Sequence, residues 1–384
     1  MLADAFKTAL EDKYDIVILD ILKDRMFFDF VFPYCSRTQS WLTLKILTEL
    51  QKIPEFIIGN KHYNEIKKDF TDTNPDLIIS VFPILNKYYW KIAKELNKPF
   101  WIAPTDYNHD DIKLLGIPNM KKEEKQENFR LFMYINDENN KKLKEYGIES
   151  GKNLTYIQFP VRKEFLSFVY DYNDKKQTAI NEITKMKKEN NISENDRSVF
   201  ISLGANTFMA DVVTDYIKII DNAIDSQKQF NGKLTIFIAC GNNKELKEKL
   251  LSYQVKSKDI IIKPVGWIDA KEMAKYELLA DTVIIKPGGN SFTEALTLQQ
   301  NKVFIYKDST YAMKWEKANL DFTKEYGCCS EFKFTWEDGY EKDVEEKIFN
   351  RLNNNKDIKT KKPFPKSNFY KVTLEEVDKI LANK

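Results

Sequence analysis

IIKPGGNSFTEAL, residues 284–296, joins an apolar run to Pro-Gly-Gly and then to a helix-forming segment. The apolar run predicts a strand, and the two glycines, Gly288 and Gly289, allow the backbone to approach a ligand closely. The helix is predicted to begin at Asn290 or Ser291, because both residue types are good N-caps. Its free N–H groups and the positive end of its dipole favour a phosphate group.

The acid in this helix has two interpretations. Glu294 lies one helical turn beyond Asn290, where its carboxylate can accept hydrogen bonds from ribose hydroxyls. In the structural alternative, residues 287–289 form only a tight turn, and Glu294 is an acid near the helix start that complements the dipole. Local chemistry leaves both interpretations open.

Short β-branched runs alternate with helical stretches on both sides of this segment. The first series is 14–22, 75–82, 98–103, 129–136 and 153–159, and the second is 198–204, 234–241, 259–267, 281–289 and 302–307. Such alternation indicates parallel sheets with right-handed crossovers, and the charged helix 175–190 separates the two series. The predicted fold is α/β, with two Rossmann-like domains and a ligand in the cleft between them, beyond the carboxyl ends of the strands.

Composition excludes several classes of protein. The 384 residues exceed one comfortable core, and 60 basic against 58 acidic residues leave a net charge of +2, so nucleic acid is not an expected partner. Neither the four cysteines nor the two histidines, His62 and His109, have metal-ligand spacing, so reduced thiols and no metal are expected. No apolar stretch approaches the roughly 20 residues of a membrane span. The N-terminus lacks the layout of a signal peptide, so a cytoplasmic protein is predicted.

Longer motifs resemble those of GT-B glycosyltransferases. VGWIDAKEMAKYELLADTVIIKPGGNSFTEALTLQQNKVFIY (265–306), with WEKANLDFTKEYG (315–327), is similar to their donor-binding half. The resemblance points to the monogalactosyldiacylglycerol synthase and processive diacylglycerol glucosyltransferase group, with the peptidoglycan N-acetylglucosaminyl transferases as cousins. CGNNKELKEKL (240–250), TDYNHD (105–110) and FPVRKEF (159–165) are similar to further motifs of that group. The resemblance covers almost the whole chain.

The resemblance implies a site for a nucleotide-sugar, usually linked to UDP. The first turn of the helix would bind the diphosphate, and Glu294 the ribose. The backbone at Trp267 and Ile268 would meet the base, and Glu316 and Asn319 would contact the sugar. The full implied set is Gly204, Asn206, Gly241, Asn242, Trp267, Ile268, Lys286, Gly288, Gly289, Asn290, Ser291, Glu294, Glu316 and Asn319. Structural alternatives are a buried aromatic for Trp267 and a polar helix start for Glu316 and Asn319.

The implied reaction is an inverting hexosyl transfer from a UDP-sugar to a lipid acceptor such as diacylglycerol. UDP-sugar is then a substrate, and no cofactor or metal is expected. Lys286 and the helix-end amides would neutralise the leaving diphosphate. The transition state would resemble an oxocarbenium ion, and a general base would deprotonate the acceptor hydroxyl.

Several ligand-facing loops depart from the family pattern. Relatives open with a strand and a GGGH loop, whereas MLADAF matches the helix that follows such a loop, so this strand and loop are expected to be missing. LGANTF (203–208) replaces the usual glycine pairs, Phe159 stands where relatives have glycine, and Trp315 stands where they often have glutamine. Asp106 and His109 are left as the acid–base candidates. Their structural alternatives are a strand-end cap and a surface histidine.

The predicted domains are 1–165, an acceptor-binding Rossmann-like domain; 166–195, a linker; 196–360, a nucleotide-sugar-binding Rossmann-like domain; and 361–384, a C-terminal tail and helix. The aromatic segment 27–47 predicts a surface that docks peripherally on the cytoplasmic face of a membrane. In the structural alternative, the segment packs as core or closes the cleft.

Two other functions stay open. One is a catalytically weak or inactive GT-B protein that binds a nucleotide-sugar, and the other is a UDP-sugar 2-epimerase. The identity of the sugar, the acceptor and the oligomeric state are not predicted.

Overall fold

A computed structural model describes the greater part of the chain. The described residues are 2–20, 54–81, 85–107, 115–117, 128–134, 141–173, 177–203, 209–227, 232–299, 302–305, 318–322, 330–333, 337–354, 364 and 366–382. They divide into two compact units, of which unit 1 is Met1–Pro160 with Lys366–Lys384 and unit 2 is Val161–Pro365.

Helices and strands alternate through both units. The helices are α1 (Leu2–Leu10), α2 (Pro54–Thr73), α3 (Asn86–Glu95), α4 (Lys141–Glu145), α5 (Lys163–Asn173), α6 (Gln177–Glu189), α7 (Met209–Gln227), α8 (Lys244–Leu251), α9 (Ala270–Leu279), α10 (Gly289–Gln299), α11 (Tyr340–Asn354) and α12 (Phe369–Ala382). The strands are β1 (Ile78–Ser80), β2 (Phe100–Ile102), β3 (Phe129–Met133), β4 (Leu154–Tyr156), β5 (Arg197–Ser202), β6 (Leu234–Ala239), β7 (Ile260–Val265), β8 (Thr282–Ile285), β9 (Val303–Ile305) and β10 (Ser330–Glu331).

Unit 1 contains a four-stranded parallel sheet in the order β1-β2-β3-β4. Every residue of β2 is buried, because successive side chains point to opposite faces and helices cover both. Phe100 joins the apolar cluster that contains Trp90 of α3. Trp101 joins the cluster on the other face, which is supplied by α1 and α12.

Helix α12 brings a distant part of the chain back into unit 1. Phe369 is 1% exposed and packs edge to face on Phe6 of α1, with ring centroids 4.9 Å apart. Glu376 forms an ion pair with Arg130 of β3, and Asp378 accepts a hydrogen bond from the Tyr14 hydroxyl. The core of unit 1 therefore includes α12.

Unit 2 contains a six-stranded parallel sheet in the order β10-β9-β8-β5-β6-β7. Counted within the unit, this is the order 3-2-1-4-5-6 of doubly wound folds, read from β7 to β10. Strand order reverses between β5 and β8, so the ligand crevice is expected at their carboxyl ends. Pro264 lies in β7, an edge strand of the described sheet, where proline is tolerated.

The sequence predicted this architecture correctly: both units are α/β with parallel sheets. Each predicted run from 75–82 onward overlaps one of the strands β1 to β9. The predicted strand 14–22 is wrong over its described part, because residues 14–20 pair with no described strand, and Val17 is 61% exposed. The short strand β10 was not anticipated.

The predicted domain boundaries differ from the division by contacts. The contacts place the break between Pro160 and Val161, and helices α5 and α6 of unit 2 occupy most of the predicted linker 166–195. The boundaries at 165, 195 and 360 stay predictions. The aromatic segment 27–47 lies outside the described residues. Among the described helices, none has the length and apolarity that a membrane crossing requires.

Removing the Phe369 ring should destabilise the protein, since a buried aromatic would leave a cavity at the α1–α12 contact. We expect Phe369→Ala to lower the free energy of unfolding by about 3–5 kcal/mol, measured by urea unfolding of the full chain. Lys371→Ala on the same helix is the control, because its side chain is 80% exposed. Equal urea midpoints for the two variants would contradict this packing.

Candidate functional site

The carboxyl end of β8 leads directly into the first turn of α10. The Phe292 N–H donates to the Gly288 carbonyl at 3.1 Å, so Gly288 is the N-cap residue. The prediction of Asn290 or Ser291 as N-cap is therefore wrong by two or three positions, because the Pro-Gly turn lets the helix begin earlier. The N–H groups of Gly289, Asn290 and Ser291 occupy the first turn, and no described residue accepts from them. Three backbone N–H donors thus lie together at the point where the strand order reverses.

Buried hydrogen bonds fix this turn. The Gly288 N–H donates to the Lys286 carbonyl at 2.9 Å, and the Thr293 hydroxyl donates to the Gly289 carbonyl at 2.7 Å. Asn319, in a helical stretch at 318–322, is fully buried and donates from Nδ2 to the Pro287 carbonyl at 2.8 Å. Its amide group supports the turn, and its predicted sugar contact stays a prediction.

Glu294 is buried and paired with Arg162. Arg162 Nε donates to Oε1 at 2.7 Å, Nη2 donates to Oε2 at 2.8 Å, and the backbone N–H donates to Oε1 at 3.3 Å. The Glu294 side chain is 1% exposed and that of Arg162 is 28% exposed. A carboxylate has about four acceptor positions. With three donors in place, Glu294 has about one unused acceptor position.

A second acid is buried beside this pair. Glu277 of α9 is 1% exposed. Burial raises the pKa of its carboxyl well above the usual value; the negative charge of Glu294 raises it further, and Arg162 lowers it. Burial and the neighbouring Glu294 thus favour the protonated form of Glu277, whereas Arg162 favours its ionised form.

The turn after β6 is a capped helix start. Asn243 accepts from the Leu246 N–H at 2.9 Å as N-cap of α8, and Leu246 and Leu250 are buried in the core. The asparagine and the two leucines of the motif CGNNKELKEKL thus have structural roles, as helix cap and as core residues. Gly241 adopts a φ of 54°, which favours glycine, and Asn242 is exposed at the same turn.

The turn after β7 presents an aromatic side chain to solvent. Trp267 is 70% exposed, so the structural alternative of a buried aromatic is wrong. Ile268 is half-buried, and Asp269 caps α9 by accepting from the Glu272 N–H at 2.8 Å. The indole therefore projects at the same edge of the sheet as the α10 turn.

Asp106 lies in unit 1 after β2, at the carboxyl edge of that sheet. Its carboxylate accepts from the Thr105 hydroxyl at 2.9 Å. Beside it, Tyr107 and Phe159 stack with centroids 4.9 Å apart, and Tyr134 lies 4.5 Å from Phe159. These three rings follow β2, β3 and β4 and cover the end of the sheet. The catalytic role of Asp106 stays a prediction.

Comparisons with known proteins were made at the level of sequence and of structure. No family model and no curated protein matches the sequence. MurG of Acinetobacter baumannii is structurally similar, at 12% identity and a TM-score of 0.50, with 84% of this chain and 78% of that chain covered. UDP-GlcNAc 2-epimerase of Neisseria meningitidis, bound to UDP-GlcNAc, is similar at 11% identity and a TM-score of 0.54, with 83% and 80% covered.

The fold is GT-B.

A third similar structure is that of Methanocaldococcus jannaschii UDP-GlcNAc 2-epimerase in complex with UDP-GlcNAc and UDP. It shares 14% identity at a TM-score of 0.50, with 84% of this chain and 80% of that chain covered. At these identities, likeness to transferases and epimerases shows the GT-B fold and leaves the choice of reaction open.

Other predicted site residues lie outside the described part of this GT-B chain: Gly204, Asn206, His109 and Glu316. Among the described residues, no group of three or more His, Cys, Asp or Glu side chains has the arrangement of a metal site. The predicted set omitted Arg162 and Glu277. Arg162 belongs to the motif FPVRKEF. The sequence also contained a signal for Glu277, because this acid occupies a position on the apolar face of its helix, between Ala274 and Leu278.

The raised pKa of Glu277, which favours a bound proton in the native state, predicts a dependence of stability on pH. The native state keeps this proton above the ordinary carboxyl pKa of 4.5, whereas the unfolded state loses it. The contribution of Glu277 to stability is therefore lost as the pH rises from about 4.5 through the raised native pKa, by at most about 1.4 kcal/mol per pH unit. Glu277→Gln should remove this slope, so that it gains stability over the wild type as the pH rises from 5 to 8, measured by urea unfolding.

Glu272→Gln on the same helix is the matched control, because that side chain is 44% exposed. Parallel stability curves for the wild type and Glu277→Gln across this range would show that Glu277 is ionised in the native state.

Proposed function

We propose that unit 2 binds a UDP-sugar and that the protein is a hexosyltransferase that uses it as donor. The observation that carries the proposal is the set of three N–H donors, Gly289, Asn290 and Ser291, at the reversal of strand order. A helix start at this place favours a diphosphate through its donors and its dipole. Lys286, half-buried immediately before the turn, adds a positive charge.

The spacing of the strands supports a nucleotide as the proposed ligand. β7 and β8 are separated by three strand spacings of about 4.8 Å each, which gives about 14 Å. An extended nucleoside diphosphate has a comparable length. The diphosphate then lies at α10 and the base lies toward Trp267, whose exposed indole can stack on a planar ring.

Glu294 is proposed to bind the ribose through one hydroxyl, whereas the sequence implied more than one. Arg162 already supplies three donors to its carboxylate, so one ribose hydroxyl can join them. Arg162 fixes the orientation of the carboxylate, which lowers the entropic cost of binding the sugar.

The transfer step follows from these positions. The bond between the anomeric carbon and the diphosphate oxygen breaks, and the diphosphate leaves with the electron pair. Its developing charge is stabilised by the amides of α10 and by Lys286, so the proposed reaction needs no metal. The acceptor hydroxyl attacks the anomeric carbon from the opposite face, which inverts its configuration. We propose Asp106 or His109 as the base that accepts the hydroxyl proton, and a lipid such as diacylglycerol as the acceptor.

A second candidate is a protein that binds the nucleotide-sugar without transferring the sugar. The observation that favours it is the stack of Tyr107, Tyr134 and Phe159 at the carboxyl end of the unit 1 sheet. Tyr107 is 3% exposed and Phe159 is 2% exposed, so these rings fill the edge at which an open parallel sheet binds ligands.

Binding of UDP is the first test. We expect the wild type to bind UDP in EDTA, measured by calorimetry. Glu294→Ala should weaken this binding by about one to two orders of magnitude, because it removes a charged hydrogen-bond partner worth about 1.5–3 kcal/mol. No UDP binding by the folded wild type would overturn the proposed donor site.

A double variant separates direct contact from loss of the fold. Glu294→Ala leaves the Arg162 guanidinium without its carboxylate, which costs about 3 kcal/mol for a largely buried pair. Arg162→Met with Glu294→Met replaces both charges by apolar groups and should keep the fold, as monitored by thermal unfolding. If this folded double variant binds UDP as well as the wild type, Glu294 does not contact the nucleotide.

Transfer is tested with radiolabelled UDP-glucose, UDP-galactose and UDP-N-acetylglucosamine and with diacylglycerol as acceptor. We expect transfer to fall by about 10²- to 10⁴-fold in Asp106→Asn or in His109→Ala, according to which residue is the base. Thr105→Val is the control, because it removes the hydrogen bond to Asp106 and keeps the carboxylate. UDP binding without any transfer would favour the second candidate, and a 2-epimerised UDP-sugar without transfer would identify an epimerase.

A further inference from the structure

Lys247 places a positive charge beside the turn that carries Trp267. Helix α8 packs on β7, and a Cβ atom built on Gly266 would lie 3.8 Å from Lys247 Nζ. Because Gly266 has no side chain, the ammonium group borders the turn directly. Lys247 also acts on Cys240 at the end of β6: burial raises the pKa of that thiol to about 11, and the charge of Lys247 lowers it.

The Lys247 ammonium has no described partner. No described residue forms a salt bridge or a hydrogen bond with its Nζ, and the side chain is exposed. Lys249, two positions further along α8, is different, because its Nζ lies 2.9 Å from Asp211. Lys249 is thus paired with an acid, whereas the ammonium of Lys247 lies beside Gly266 at the edge of the sheet.

An exposed indole and an ammonium that border the same turn suit a specific kind of ligand. The indole of Trp267 offers an apolar face on which a planar base can stack. The ammonium group of lysine has three donors and no acceptor. It can therefore bind a ring carbonyl oxygen, whereas it is repelled by an amino group that also only donates. Uracil has a carbonyl at the ring position where cytosine has an amino group.

We propose that Lys247 is a specificity-determining residue for the base. It donates to the carbonyl that uracil, stacked at Trp267, has at the position of the amino group of cytosine, and it thereby disfavours cytosine. The inference rests on the proposed function, since it requires the base of the donor to lie at this turn. It adds a side chain that reads the base, separate from the α10 turn that binds the diphosphate.

The test compares UDP with CDP by calorimetry in EDTA. We expect the wild type to bind UDP more tightly than CDP. Lys247→Met should weaken UDP binding by about tenfold and leave CDP binding nearly unchanged, because only uracil loses a hydrogen bond to a charged group. Lys249→Met, which removes the same charge from the same helix, should keep the preference of the wild type for UDP.

The outcomes separate this inference from the proposed function. Equal weakening of UDP and CDP in Lys247→Met would show a general charge effect on the phosphates and would overturn the assignment. Unchanged UDP binding in that variant would overturn it as well, while the donor site in unit 2 would stand. A wild type that binds neither nucleotide would overturn both proposals.

Discussion

The pairing of β5 with β8 is the constraint on which the candidate site depends. β5 and β8 are not consecutive along the chain, because β6 and β7 lie between them in sequence. Their contact creates the reversal of strand order in unit 2. Asp281 reinforces the pairing where β8 begins, because its carboxylate accepts from the Ser198 N–H at 2.8 Å. Arg351 of α11 donates to the Asp281 carbonyl at 3.0 Å. The motif residue Asp281 thus holds the sheet at the end opposite the candidate site.

The cluster of Arg162, Glu294 and Glu277 joins three helices of unit 2 to one another. Glu294 belongs to α10 and Glu277 to α9. Arg162 precedes α5, and its carbonyl accepts hydrogen bonds from N–H groups in the first turn of that helix. A buried pair of this kind adds little net stability, because the cost of removing two charges from water offsets their attraction. Its effect is geometric. It links the start of α5 to α10, the helix whose first turn carries the N–H groups of the candidate site.

Sequence reasoning succeeded where the signal was local. The strand, the glycine turn and the helix at 281–299 are contiguous, so their pattern is visible in one short stretch. The pairing of Arg162 with Glu294 was not predictable in this way, because 132 positions separate the two residues and no periodicity links them. The predicted strand at 14–22 failed for a related reason, since β propensity describes a side chain and says nothing about a pairing partner. The hydrogen bond from the buried Asn319 amide to the Pro287 carbonyl was not predicted either, because 32 positions separate the two residues.

The return of α12 into unit 1 has a consequence for biosynthesis. Unit 2 is continuous in sequence, so all of its strands can assemble as soon as it has left the ribosome. Unit 1 is completed later, because α1, which precedes unit 2 in sequence, packs against α12, which follows unit 2. During translation the apolar faces of Phe6 and Trp101 lack the cover that α12 supplies. Domains generally fold in the order of their synthesis. Here the unit whose synthesis begins earlier is completed later than unit 2.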